Sequence, residues 1–306
     1  MTMINYKKII KSRYLRKRLL SLLEWIPDRI MVQLQYYIKT GRRLNLRNPK
    51  RFTEKLQLYK LFYRNSTMLQ CTDKFEVRDF VRKHGYTDIL IPMIGVYDSP
   101  IEIIYETLPS KFVVKTTDGG GGNRVIVCKD KNNIDKNSFY RTLSEWMSFP
   151  KTKSSGREWA YENGYPRRLI VEQLIGNDQK ELIDYKFFCF NGKVKMVYGI
   201  SGRDIGNSAQ LGIYSPEFTK LQVNRNDERV QTEALDKPQN YEMMIKIAED
   251  LSKEFPHVRV DLYNVDGKIY FGELTFYDGS GYMTFSPDSY DMELGEYFKT
   301  DTFYSN

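Results

Sequence analysis

The stretch Val258-Arg-Val-Asp-Leu-Tyr-Asn-Val-Asp-Gly-Lys-Ile-Tyr-Phe-Gly-Glu-Leu-Thr-Phe-Tyr-Asp-Gly-Ser-Gly281 reads as two strands joined by a turn. Val258, Val260 and Leu262 alternate with Arg259, Asp261 and Tyr263, and Ile269 and Phe271 alternate with Tyr270 and Gly272 ahead of Glu273. Asp266-Gly267 between them is a tight hairpin signal, because both residue types tolerate positive φ. A period of two puts Arg259 and Asp261 on one face, and the returning strand can bring Glu273 opposite them. The glycine-rich turn Asp278 to Gly281 follows at once, which suits close backbone approach to a ligand. Two readings stand side by side. One is an exposed ion pair, common and weak. The other is a pair of carboxylates on neighbouring strands with a cation between them, for which Mg²⁺ is the usual hard, oxygen-seeking choice. A phosphate site elsewhere in the chain decides between them.

Lys111 to Asp130 supplies a candidate. Phe112 to Thr116 reads as a strand, Gly119, Gly120, Gly121 and Gly122 as a loop, and Val125 to Cys128 as a second strand. Consecutive glycines let successive backbone N–H groups wrap a phosphate, and Lys115 leaves the first strand just before the loop. The spacing fits neither a P-loop, which needs Gly-Lys-Ser/Thr, nor the dinucleotide fingerprint, which needs a helix next. A plain glycine hairpin is the competing reading.

Composition narrows the field. The 306 residues are 41% hydrophobic and 14% aromatic, enough for two or three subdomains with real cores. Three widely spaced cysteines (Cys71, Cys128, Cys189) argue against a disulfide framework or a zinc site and fit a reducing compartment. Two histidines make a His-based triad or metal cluster improbable. Neither a signal peptide nor an apolar run of membrane-spanning length is visible. The net charge of +8 is concentrated at one end: residues 1 to 51 carry 14 Lys/Arg against Glu24 and Asp28.

Along the chain, residues 5 to 38 read as helical with a break at Pro27; Leu15, Leu19, Leu22 and Ile26 share a face. Such a basic amphipathic segment either packs on the rest of the protein or lies on an anionic membrane surface. A nucleic-acid arm is the least favoured reading, since no recognisable nucleic-acid module accompanies it. Phe52 to Tyr63 is expected as a helix with Thr53 as N-cap, and Phe75 to His84 as another, ended by Gly85. Ile89 to Tyr97 reads as a strand, Ser138 to Met147 as a helix, and Leu169 to Ile175 as a strand. Asp184 to Tyr198 forms a hairpin turning at Asn191-Gly192, and Pro238 to Phe255 an amphipathic helix striped by Met244, Ile247, Ala248 and Leu251.

In this order the pieces resemble the ATP-grasp superfamily, and more closely the TupA-like ATP-grasp proteins linked to teichuronopeptide and surface-polysaccharide synthesis. The resemblance is carried by Asn48 to Leu56, Thr72 to Arg78, Lys111 to Asp130, Asp184 to Lys193 and Val258 to Pro287. It implies an α+β fold of two subdomains clamping ATP, residues 71–170 with a glycine-rich lid and residues 171–306 with hinge and metal site, after a basic helical region 1–70. By the same resemblance Lys74 and Lys115 would bind phosphates, and Glu172, Gln173 and Leu174 would form the adenine hinge. Glu181 or Asp184 would meet the ribose, and Lys186 and Arg203 would sit near the transferred phosphate. Asp261, Glu273 and Thr275 would hold Mg²⁺, and Arg259 would steady the phosphorylated intermediate. Two departures are visible: Thr275 stands where the family carries Asn, and Asp278 where Pro is more usual. The implied reaction joins an amine or amino acid to a carboxylate, such as a uronic acid, through an acyl phosphate; a cytoplasmic location is expected, and the basic segment, residues 1–40, would suit either an anionic polymer or the inner face of the membrane. A sugar kinase, a glycosyltransferase and a non-catalytic ATP-binding scaffold are the alternatives; the absence of any Asp-x-Asp counts against the common metal-dependent glycosyltransferase.

Overall fold

The computed structural model describes residues 23–120, 124–149, 156–176, 181–202, 209–300 and 303. The expected site residues Gly121, Gly122 and Arg203, and the first part of the basic segment, lie outside them. In chain order come α1 (Asp28–Thr40), α2 (Phe52–Phe62), α3 (Ser66–Thr72), α4 (Val77–Lys83), β1 (Met93–Tyr97), β2 (Phe112–Thr116) and β3 (Val125–Cys128). There follow α5 (Lys136–Ser148), α6 (Trp159–Glu162), β4 (Leu169–Gln173), β5 (Asp184–Phe190), β6 (Lys193–Ser201), β7 (Gln210–Tyr214) and β8 (Asn224–Arg225). The chain closes with α7 (Tyr241–Ser252), β9 (His257–Val265), β10 (Lys268–Thr275), β11 (Phe285–Ser286) and α8 (Ser289–Tyr297).

The strands form two principal antiparallel sheets, ordered β1-β4-β2-β3 and β10-β9-β5-β6-β7, with β8 and β11 as a small third pair. Both hairpin signals hold. Asn191 and Gly192 have φ of 49° and 75°, and Asp266 and Gly267 have 50° and 88°, the left-handed pair that a two-residue turn between twisted strands requires.

The buried side chains form two hydrophobic clusters among the described residues. Phe112, Val114, Leu169 and Val171 pack under Phe139 and Leu143 of α5. The larger cluster joins α2, α3 and α4 to the five-stranded sheet, so residues 46–90 pack with the C-terminal half of the chain. Every residue of β5 is buried, because both faces of that sheet are covered. Met244, Ile247, Ala248 and Leu251 of α7 pack on one face. On the other, Phe52 of α2 meets Phe188 edge-on at 6.3 Å and His257 at 5.0 Å.

Thr53 does not cap α2; Arg51 stands at the N-cap. Asp291 of α8 accepts from the Thr53 N–H at 3.0 Å and from its hydroxyl at 2.8 Å, so a distant carboxylate satisfies an early N–H of the helix. Residues 89–97 also differ: Thr87–Ile89 is a turn of 3₁₀ helix and the strand begins only at Met93.

Candidate active site

The site grows from the register of β9 and β10. Phe271 pairs with Leu262, but one step on Glu273 pairs with Asp261, and Thr275 with Arg259. The extra residue, Gly272, is a β-bulge. Strict alternation would put Glu273 on the face of Phe271, in the apolar layer; the bulge turns Glu273 and Thr275 onto the face of Arg259 and Asp261. A Cβ at position 272 would stand 3.1 Å from the Asp261 carbonyl oxygen, so the near approach of the strands suits glycine. On the other side of β9, Lys186 pairs with Asp261. Three strands thus bring Lys186, Asp261 and Glu273 into line.

Arg259 ties this line together. Its Nε donates to Asp261 Oδ1 at 2.7 Å, while Nη2 reaches Asp261 Oδ2 at 2.7 Å, Thr275 Oγ1 at 3.0 Å and Glu273 Oε1 at 3.4 Å. Nη1 donates to Asp278. Lys186 donates to Asp261 and lies 3.0 Å from Asp184 Oδ2. Burial raises the Asp261 carboxyl above its ordinary value, with Arg259 and Lys186 opposing. Burial would raise Glu273 too, but Lys74, Lys186 and Arg259 together hold it down at about 2.

The four-stranded sheet approaches through Lys74. Its ammonium donates to the Gly119 carbonyl at the root of the glycine loop and lies 3.9 Å from Glu273 Oε2. Burial lowers its basicity, with Glu273 opposing. Lys115 bonds Glu172 Oε2 at 2.7 Å, and Arg78 reaches Glu172 Oε1 at 3.2 Å. At Gly119 a Cβ would stand 2.7 Å from Thr116 Oγ1, so the loop's root has no space for a side chain. Arg167 braces the loop by donating from Nε to both Asp118 oxygens, at 3.0 and 2.8 Å.

The structure therefore brings together Lys74, Lys186, Arg259, Asp261, Glu273 and Thr275 directly, with Lys115, Gly119 and Glu172 on the facing sheet. Gln173 ends β4, with its N–H on the Pro92 carbonyl at 2.9 Å, and Leu174 follows it. Asp184, named beside Glu181 for a ribose, is buried within the charge cluster, whereas Glu181 is exposed. Sequence reasoning missed Arg78, which stands in the first turn of α4 and meets Glu172 across 94 positions. It missed Arg225, which meets Asp278 across 53 positions and left no local trace.

Three oxygens, from Asp261, Glu273 and Thr275, already converge on a single positively charged nitrogen, Arg259 Nη2. All are hard oxygen donors and two are carboxylates, which fits Mg²⁺. Among the described residues no group of three or more His, Cys, Asp or Glu side chains is arranged for a metal ion.

Two antiparallel-sheet lobes, one with a glycine loop and lysines and the other with a buried Arg-Asp-Glu cluster, are the arrangement of an ATP-grasp protein. Residues 54–299 match the TupA-like ATPgrasp family, and the chain belongs to that family. Among solved structures it is similar to the D-alanine–D-alanine ligase from Bacillus anthracis complexed with ATP, at 17% identity and TM-score 0.40, over 68% of this chain and 55% of that one. It is similar to the L-amino acid ligase from Bacillus licheniformis, at 15% identity and TM-score 0.43, over 76% of this chain and 49% of that one. A D-alanine–D-alanine ligase from Helicobacter pylori shares 12% identity at TM-score 0.41, over 81% and 68% of the two chains. The chain thus spans about half the length of the first two. No curated protein sequence matches it.

Proposed function

We propose that this protein is an ATP-dependent carboxylate–amine ligase. The observation that carries the reading is the meeting of three cationic side chains, Lys74, Lys186 and Arg259, around the Asp261–Glu273 pair, with a fourth, Lys115, held on Glu172 of the facing sheet beside the glycine loop. A carboxylate oxygen of the acceptor attacks the γ-phosphorus, the bond to the β-phosphate oxygen breaks, and ADP leaves. The amine nitrogen then attacks the acyl carbon, inorganic phosphate leaves, and the nitrogen gives up a proton. Lys74 and Lys115 bind phosphates; Lys186 and Arg259 offset charge spreading over the transferred oxygens. Mg²⁺, held by Asp261, Glu273 and Thr275, would supply further neutralisation of phosphate charge. Glu172 to Leu174 form the adenine hinge, and Glu181, the exposed candidate, takes the ribose. The cysteines favour this route over a thioester: burial pushes Cys189 up to about 12 and raises Cys71 and Cys128 as well, so none offers a thiolate. His257 is buried and lowered to about 3, hence neutral.

We further infer that the acceptor is a uronate of a surface polysaccharide or its precursor, met at the cytoplasmic face of the membrane. No described helix is long and apolar enough to cross a membrane. Helix α1 buries Met31, Val32 and Tyr36 yet exposes Ile30 and Leu34, at 57% and 48%, beside Arg29 and Lys39. That second apolar face with basic flanks suits an anionic lipid surface.

The test is product analysis with Mg²⁺-ATP, candidate uronates and hydroxylamine. ADP, phosphate and a hydroxamate together support the ligase. ADP with a phosphorylated sugar makes it a kinase, and nucleotide binding without turnover on any acceptor makes it a scaffold.

A further inference from the structure

Asp278 takes no part in the chemistry above, yet it is 3% exposed and its two oxygens serve two different arginines. One accepts from Arg259 Nη1; the other accepts from Arg225 Nη1 at 2.8 Å. Arg225 is itself held by Asp227, through Nε at 2.7 Å and Nη2 at 3.1 Å. Burial would raise the Asp278 carboxyl, but Arg225, Arg259 and Lys186 hold it below its ordinary value, so it stays charged.

The turn that carries Asp278 is held from outside the β9–β10 pair. Gly279, Ser280 and Gly281 have φ of 51°, 56° and 68°, and a serine in that left-handed region costs of order 1 kcal/mol unless its surroundings enforce it. Gln57 of α2 enforces it, donating to the Ser280 and Gly281 carbonyls at 3.1 and 2.8 Å, and Lys60 donates to the Ser280 carbonyl at 2.9 Å. Ser280 Oγ also donates to Glu158 at 2.5 Å.

Arg259 thus has two docks. Nη2 rests on the three oxygens of Asp261, Glu273 and Thr275; Nη1 rests on Asp278. The first dock is the set that fits a divalent cation, and a guanidinium nitrogen and a cation cannot occupy one point among three oxygens. We propose that Asp278 is a positioning residue, a second dock fixed by Arg225 and by the 278–281 turn. It keeps Arg259 paired when a divalent cation takes Asp261, Glu273 and Thr275. Without it, Arg259 has only those same oxygens and competes for them. This rests on the nucleotide-site reading given above.

The test measures Mn²⁺ bound by the 306-residue protein in the presence of ADP, from the electron paramagnetic resonance signal of free Mn²⁺. Asp278→Asn is expected to weaken Mn²⁺ binding tenfold or more. Asp227→Asn removes a carboxylate from the same chain of charges without touching Arg259, and is expected to leave Mn²⁺ binding within twofold. Should Asp278→Asn fail to fold, Arg225→Gln replaces it: the dock loses the arginine that fixes it, and Mn²⁺ binding is expected to weaken at least threefold. Unchanged binding in Asp278→Asn, an equal loss in Asp227→Asn, or no weakening in Arg225→Gln overturns the positioning role alone. Absence of Mn²⁺ binding by the wild-type protein overturns the nucleotide-site reading, and the positioning role with it.

Discussion

Replacing Arg259 with Met leaves Asp261, Glu273 and Asp278 facing one another without the side chain that touches all three. Breaking a buried ion pair by removing one partner costs about 3–5 kcal/mol. Here Lys186 still pairs with Asp261 and Arg225 with Asp278, which points to the lower end of that range. At about 2–4 °C per kcal/mol, a loss of about 3 kcal/mol lowers the melting temperature by roughly 6–12 °C. The pH dependence carries a sign. In the wild type Glu273 and Asp278 are held below their ordinary values, so what they contribute is present above the unfolded carboxylate range. It is lost only as pH falls toward the depressed values, so these two carboxylates add no pH dependence between pH 8 and 5. In the variant Asp261 loses the largest influence lowering it, and burial raises it further. A carboxyl raised in the folded state destabilises at high pH and ceases to do so once protonated, so the deficit shrinks as pH falls from 8 toward 5. Thermal melts of both proteins across that range, with and without Mg²⁺, check this; Mg²⁺ should restore part of the loss by binding the freed carboxylates. A deficit under 2 °C, or one that does not change with pH, would refute the electrostatic account.

Other perturbations have equally definite outcomes. Lys115→Ala and Glu273→Ala should each cut ADP formation by about a hundredfold or more, with circular dichroism unchanged. Gly119→Ala forces a Cβ against Thr116 Oγ1 at the loop's root, so KM for ATP should rise about tenfold while the melting temperature holds within a few degrees. Glu172→Gln leaves Arg78 and Lys115 sharing an uncharged amide; denaturant unfolding should register a loss of about 2–4 kcal/mol. Burial lowers Lys60 to about 7, below its unfolded value, so the unfolded chain binds the extra proton. Stability should therefore climb from pH 7.5 to 9 by up to about 1.4 kcal/mol per unit, and Lys60→Met should abolish the climb.

Much of the fold was legible because local chemistry and global packing agree. Asn191-Gly192 and Asp266-Gly267 turn where their backbone freedom says they should, and the Met244–Leu251 stripe lies against the sheet as its spacing requires. Strands β7 and β8 were not foreseen, since their short segments carry little pattern of their own. Thr53 misled for a different reason: its type and position suit an N-cap, but Asp291, more than two hundred residues away, satisfies the helix instead.

The sequence by itself determined which residues share a strand and which loops need glycine, because periodicity and φ are local properties. Arg259 beside Asp261, Lys115 before the glycine loop and both hairpin turns follow from that. Only the tertiary structure decided what faces what. Alternation along β10 would have hidden Glu273 in the apolar layer, and the bulge at Gly272, visible only in the pairing with β9, turned it to Asp261. Asp278 was readable as a turn residue, but its role depends on Arg225 and on the helix that holds the turn. Charge pairing acts through space: its partners are chosen by packing, and spacing along the chain carries no record of them.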